Sequence, residues 1–313
     1  MNEDIERSRA RVSRRRALAL GGTVGLSGLI AACTGNGSGG TATSTATAAT
    51  TTSAAAVADG DVLALLARAP QCIMTTEETQ GPYWFDVDSI RNDLREDRPG
   101  TTLELAIRVQ DMQKCTPDGA TGGVANAVVE IWHCDAGGVY SGFESGSRAA
   151  NGGPPEGGPG GPGGQGGPGG GPGGPGGEPP TGGAGGSMEY SDGSYSRGDG
   201  ESATTDDGTY LRGAQTTDAN GIATFTTIFP GWYQGRTTHI HLKVHMNKVT
   251  VLTSQLYFDE ALIDEVYASA PYSEHTGREN NANNATDGIF DASGMVTAVK
   301  TGDGYLGAIN IGV

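Results

Sequence analysis

A chain of 313 residues containing 54 glycines is not one continuous core, because much of that glycine lies in a tract with nothing to bury. Setting aside the termini and the tract leaves roughly 200 residues, enough for one domain with a sizeable core. The formal net charge of −16 argues against nucleic acid as a partner and is read as a solubility feature.

Residues 1–33 read as an export signal. Arg14-Arg-Arg16 follows Ser13, and Ala17 to Ala32 carries no charge. That run is short for a membrane span and suits a signal h-region. Ser-Arg-Arg before a Gly-rich, weakly hydrophobic segment resembles a bacterial twin-arginine signal. Leu29-Ile-Ala-Ala-Cys33 resembles a lipobox, whose cysteine is lipidated after cleavage. The expectation is a protein exported across the cytoplasmic membrane and held on its outer side through Cys33, or secreted. The competing reading is an ordinary signal peptide with Cys33 incidental. Residues 34–58, built from Gly, Ser, Thr and Ala, read as a flexible tether. Asp61 to Arg68 suits one or two turns of helix.

The body, 70–313, is strand-rich. Leu103-Glu-Leu-Ala-Ile-Arg-Val109 puts Leu103, Leu105, Ile107 and Val109 on one face. Further strands are predicted over 127–133, 221–229, 239–245, 251–258 and 305–311. Glu260 to Ala268 suits a short helix, and 271–291 reads as a long Asn-rich loop with a turn at Asp287-Gly288. Short strands, turn signals and little helix predict an all-β fold, an antiparallel β-sandwich with long loops. The pattern breaks over 144–208. Within it, a Gly/Pro-rich insert at about 151–187 lacks a Gly-X-Y period and is expected to be disordered.

With Cys33 assigned to the lipobox, Cys72, Cys115 and Cys134 remain. An oxidising compartment permits a disulfide. Cys115 follows one predicted strand and Cys134 ends the next, so Cys115–Cys134 is the expected pair. A bridge from Cys72 to one of them is the alternative.

The chemistry concentrates in Gly231-Trp-Tyr-Gln-Gly-Arg-Thr-Thr-His-Ile-His-Leu-Lys-Val-His245. Alternate residues of a strand share a face, so His239 and His241 point one way while Ile240, Leu242 and Val244 point the other. Tyr233 and Arg236 stand just before. Two co-directed imidazoles with a phenol and a cation suggest a metal site. His245 shares the parity but lies ~13 Å beyond His241 along an extended strand, too far for the same ion.

Four blocks together resemble the intradiol ring-cleavage dioxygenases, over roughly 72–311 without the insert. They are Thr79-Gln-Gly-Pro-Tyr-Trp84; Glu130 to Tyr140; Leu211 to Ile222 with Pro230-Gly-Trp-Tyr233 and Arg236-Thr-Thr-His-Ile-His241; and Ser254-Gln-Leu-Tyr-Phe258. The resemblance implies a sandwich of that family's type holding one non-haem Fe(III) through Tyr140, Tyr233, His239 and His241, with Tyr233 the phenolate released when substrate binds. It implies that Arg236 and Gln255 face the substrate and that Tyr83 and Trp84 line or cover the pocket. The implied reaction opens a catechol-type diol with O2, both oxygen atoms entering a cis,cis-muconate-type diacid. Hard phenolate oxygens suit a hard trivalent cation. A cupin-like oxygenase also uses His-x-His on a strand, but would carry a glutamate shortly after, and Leu242 to Val249 hold none. A cell-surface β-sandwich that kept the fold without the chemistry is the other alternative; the filled ligand positions argue against it. For the helical dimerisation region of cytoplasmic relatives only the short segment before Arg68 is available, which argues against that dimer mode and leaves the oligomeric state open.

Overall fold

The computed structural model describes residues 59–116, 122–150, 189–302 and 304–313. The expected signal, Cys33, the tether and the Gly/Pro-rich insert lie outside the described residues.

Two four-stranded sheets form a sandwich. In chain order the strands are β1 (Thr102–Gln110), β2 (Val128–Trp132), β3 (Glu189–Tyr190), β4 (Gly200–Glu201), β5 (Arg212–Thr216), β6 (Ile222–Ile228), β7 (His239–Met246), β8 (Val249–Tyr257), β9 (Thr297–Thr301) and β10 (Gly304–Gly312). One sheet has the order β6-β1-β10-β9 and the other β5-β2-β7-β8, with β3 and β4 a separate ribbon. Pairing is antiparallel except between β1 and β10, which run parallel. Among the described residues three α-helices accompany them: α1 (Asp59–Arg68), α2 (Glu144–Ala150) and α3 (Glu260–Tyr267).

The period-two pattern explains the core. Leu103, Leu105, Ile107 and Val109 of β1 meet Val129 and Ile131 of β2 and Ile240, Leu242 and Val244 of β7 between the sheets. Each such side chain, fully buried, contributes about 1.5–3 kcal/mol. α1 covers the back of the first sheet, where Leu65 and Leu66 pack on Ala106, Leu306 and Ala308. The back of the second sheet carries an aromatic layer instead: Trp84, Phe85, Trp132, Tyr140 and Phe143, with Tyr83 and Tyr233 half-buried against it. The loops carrying these aromatics lie over the outward face of β7.

β5 and β9 were not anticipated as strands. Arg212-Gly-Ala-Gln-Thr216 has no apolar alternation, and Gly213 serves close packing: a Cβ there would come within 2.7 Å of Leu94 Cδ2. β9 is a half-exposed edge strand without a buried face to betray it.

The disulfide expectation is corrected. Cys72 bridges Cys115, with a Cα–Cα distance of 5.6 Å, and Cys134 is a free, buried cysteine. Cys115 lies in the turn after β1, close to Gly122. From there the chain runs the length of β2 before reaching Cys134, which carries that thiol about 15–20 Å away. Cys72 instead comes to the end of β1, where its backbone N–H donates to Gln110 Oε1 at 3.2 Å.

Candidate active site

One rung of the second sheet sets the site. Arg212 pairs with Trp132, Trp132 with His241, and His241 with Gln255, so four neighbouring strands present these side chains on the same outward face. One residue pair along, His239 stands opposite Tyr257. Trp132 lies flat on His241, with ring centroids 4.9 Å apart and planes 4° from parallel. Gly81 closes over the same imidazole: a Cβ there would stand 3.2 Å from His241 Cε1.

His239 and His241 meet at their Nε2 atoms, 3.2 Å apart. His239 Nδ1 donates to the Thr237 carbonyl at 2.7 Å, which leaves the Nε2 lone pair directed into the site. Tyr233 Oη lies 3.1 Å from that nitrogen. Tyr140 comes from the turn after β2, and its ring packs edge-on to Tyr233 at 5.7 Å. Its hydroxyl is buried without a well-formed hydrogen bond. Tyr140 is fully enclosed, whereas Tyr233 keeps part of its surface exposed.

Electrostatics keeps all four groups neutral. Burial, reinforced by Arg236, pushes His239 down to about 3. Burial and the neighbouring His239 hold His241 well below the usual range. Burial likewise raises both phenols above their ordinary value, with Tyr233 adding to the shift of Tyr140 and Arg236 opposing the shift of Tyr233. Two lone-pair nitrogens and two buried phenols fit a hard cation that would supply the charge phenolates need. Among the described residues no group of three or more His, Cys, Asp or Glu could hold a metal ion, so such a site draws on phenol oxygen as much as on imidazole.

Arg236 and Gln255 come together beside these donors. Arg236 Nη2 donates to Gln255 Oε1 at 2.6 Å, and Arg236 Nε to Asp287 Oδ2 at 2.8 Å. Gln255 Nε2 donates to the Thr79 carbonyl at 3.1 Å, which ties the 79–83 segment across the site. Tyr83 stacks on Tyr140 at 4.6 Å.

Trp84 packs in the same aromatic layer as Tyr140. It is fully buried, its indole N–H donates to Glu130 Oε2 at 3.2 Å, and the Lys243 ammonium sits 3.9 Å from the ring centroid. His245 also meets Glu130 Oε2, at 3.1 Å, after a bulge in β7. His133 turns toward the other sheet and bonds Thr227 Oγ1 at 2.7 Å.

Asp287, Tyr257, Trp132 and Arg212 were not singled out in the sequence. Asp287 read as a turn residue, and nothing in its neighbours distinguishes a carboxylate that faces solvent from one that reaches Arg236. Arg212 is buried with no carboxylate ion pair among the described residues; it donates to Ser141, lies over Phe85, and is drawn down to about 10 by burial.

Comparison with solved structures supplies the deciding observation. An intradiol ring-cleavage dioxygenase from Tetranychus urticae superposes with a TM-score of 0.55 at 26% identity, over 77% of this chain and 94% of that one. A second dioxygenase crystal structure gives 0.54 at 26% identity over the same shares. The fold is that of the intradiol ring-cleavage dioxygenases. No protein-family model matches the chain, and no curated protein matches it by sequence. The two sheets of this intradiol-type sandwich differ in what covers their backs: α1 on one, the aromatic layer with the His-Tyr cluster on the other.

Proposed function

We propose that the chain is an exported, membrane-tethered intradiol dioxygenase that opens a catechol-type diol with O2 to a cis,cis-muconate-type diacid. The observation that carries this reading is the convergence of the His239 and His241 Nε2 atoms on Tyr233 Oη, beside the buried Tyr140 hydroxyl.

Tyr140, Tyr233, His239 and His241 would hold one Fe(III). An ion held there would supply Lewis-acid chemistry that makes a bound diol's ring reactive toward O2. Tyr140, enclosed under Tyr83, is the permanent phenolate in this reading. Tyr233, at the more exposed side, would be free to swing away as the diol docks, its Oη taking up one catechol proton. Arg236 has Nε and Nη2 occupied by Asp287 and Gln255. Its remaining donors stabilise negative charge that develops on the ring during oxygen attack. Gln255 is held through its carbonyl by Arg236 and through Nε2 by Thr79, which leaves one amide N–H for an oxygen of the substrate. Export and the lipid anchor rest on the Arg14-Arg-Arg16 and Leu29–Cys33 patterns.

The test is purification with ferric iron. The protein should be wine-red from phenolate-to-iron charge transfer, the band should shift on adding catechol, and oxygen uptake should accompany formation of the diacid. A colourless protein that binds zinc and consumes no oxygen with any catechol would overturn the proposal.

A further inference from the structure

The turn between β6 and β7, which carries Tyr233 and Arg236, is held from outside by one later stretch of chain, residues 267–287. Tyr267 Oη, at the end of α3, donates to the Pro230 carbonyl at 2.9 Å and lies 2.7 Å from Thr238 Oγ1. His275 stacks on Trp232, with centroids 4.0 Å apart and planes 7° from parallel. Asn281 Oδ1 accepts from the Gly235 N–H at 2.7 Å, while its Nδ2 donates to the carbonyls of Tyr233 at 3.1 Å and Arg236 at 2.8 Å. Thr237 Oγ1 donates to Asn284 Oδ1 at 2.7 Å.

Asp287 completes the grip and is its single charged member. Its side chain is 1% exposed. Oδ2 accepts from Arg236 Nε at 2.8 Å and from the Thr237 N–H at 2.7 Å, and Oδ1 accepts from the Ile289 N–H at 2.8 Å. One oxygen therefore joins the Arg236 side chain to the backbone two residues ahead of His239. A long, flexible arginine is thereby held in register with the histidine pair, and its Nη2 is aimed at Gln255. A surface salt bridge would not do this, because both partners would pay side-chain entropy for little gain. Here the carboxylate is already fixed by two backbone donors and brings no freedom of its own to lose.

We infer that Asp287 is a positioning residue: it fixes the Arg236 guanidinium toward the substrate oxygens, with Asn281 holding the backbone of the same turn so that the Tyr233 side chain can move while the turn does not. This rests on the proposed dioxygenase reading for its catalytic consequence, but the fixing of Arg236 is a property of the chain alone.

The experiment compares Asp287→Asn with wild type in two ways. On the iron-free full chain, ¹⁵N NMR follows the Arg236 Nε–H, assigned through its absence in Arg236→Lys. Wild type should show a slowly exchanging resonance, and Asp287→Asn should lose it. On the iron-loaded chain, Asp287→Asn should keep the resting phenolate band and its shift with catechol. Its kcat should fall by about 10- to 100-fold, the usual cost of removing a supporting partner, with KM nearly unchanged. Should Asp287→Asn not fold, Asp287→Glu, which keeps the charge and displaces it by one methylene, is expected to show the same pattern.

An unchanged Nε–H resonance in a folded variant overturns the inference. So does a lost resonance with kcat/KM within about twofold of wild type, since an uncoupled site would lose transition-state stabilisation of well under 1 kcal/mol. A resting band that disappears along with activity overturns it too, in favour of a general role in holding the fold. If wild type itself is colourless and inert toward catechols, the dioxygenase reading fails, and the NMR result alone decides whether Asp287 fixes Arg236.

Discussion

Trp132 lies parallel to His241 at 4.9 Å, one strand over in the same rung. The indole fixes the plane of an imidazole whose Nδ1 has no hydrogen-bond partner. In the proposed iron site, the orientation that a carboxylate or carbonyl commonly supplies to a metal-binding histidine would be supplied here by stacking. Trp132→Leu should therefore weaken iron retention by about 10- to 100-fold, read as iron per chain after dialysis against a competing chelator. Trp132→Phe, which keeps a flat face, should retain most of it. Equal iron retention by both variants would remove the stacking argument.

Tyr140→Phe separates function from folding. Its hydroxyl is buried and makes no well-formed hydrogen bond, its polar neighbour being Tyr233, so removing it relieves a desolvation cost of about 1–3 kcal/mol that offsets the loss of that weak contact. The iron-free variant should be close to wild type in stability in a denaturant titration. With iron, its visible band should weaken and turnover should collapse. Normal activity would reassign the second phenolate.

Glu78 gives stability a defined pH slope. Burial raises its carboxyl to about 7, against the hydrogen bond donated by Tyr257 Oη, which favours the ionised form. A carboxyl with a raised folded-state pKa binds more protons folded than unfolded. Its contribution is thus fully present below the ordinary carboxylate range near 4.5 and is lost as pH rises through about 7. Over that window wild type should lose stability relative to Glu78→Gln, measured by urea unfolding at a series of pH values. A difference that does not change with pH would contradict this.

The Cys72–Cys115 bridge closes a separation of 43 residues, and the chain-entropy model assigns it about 4 kcal/mol. The double variant Cys72→Ala/Cys115→Ala should lose stability on that scale. In the folded wild type, Cys134 should resist a maleimide, because it is buried and burial raises its thiol far above the usual range. Rapid labelling of Cys134 in the native protein would contradict its placement.

The export reading has its own check. In a bacterial host, the mature protein should carry a lipid on Cys33, visible as a mass increment in the N-terminal peptide. Cys33→Ala should lose that increment and leave the membrane fraction. A mature N-terminus elsewhere, with no lipid, would favour the ordinary signal peptide.

Much of the sandwich was legible because strands write their burial in a period of two. β1 and β7 alternate cleanly, and their apolar residues form the core. The same alternation determines that His239 and His241 face together, opposite Ile240 and Leu242. β5 was illegible because its glycine answers a packing demand from Leu94. Trp84 shows a similar limit: its place beside Tyr83 suggests the pocket, and it joins the aromatic layer with Tyr140, but its contacts with Glu130 and Lys243 come from strands distant in sequence.

By itself the sequence determined what is local: strand periodicity, the two histidines on one face, the tyrosine and arginine just before them, and the uncharged run ahead of Cys33. Only the tertiary structure decided what depends on which strands become neighbours. It brought Tyr140 to Tyr233, placed Gln255 beside His241 through the β7–β8 register, carried Asp287 across from a long loop to Arg236, and joined Cys115 to Cys72 rather than to Cys134. The physical reason is common to all four. Side-chain direction follows from local backbone geometry, whereas a partner distant in sequence is selected by sheet order and loop closure, which no short stretch of residues encodes.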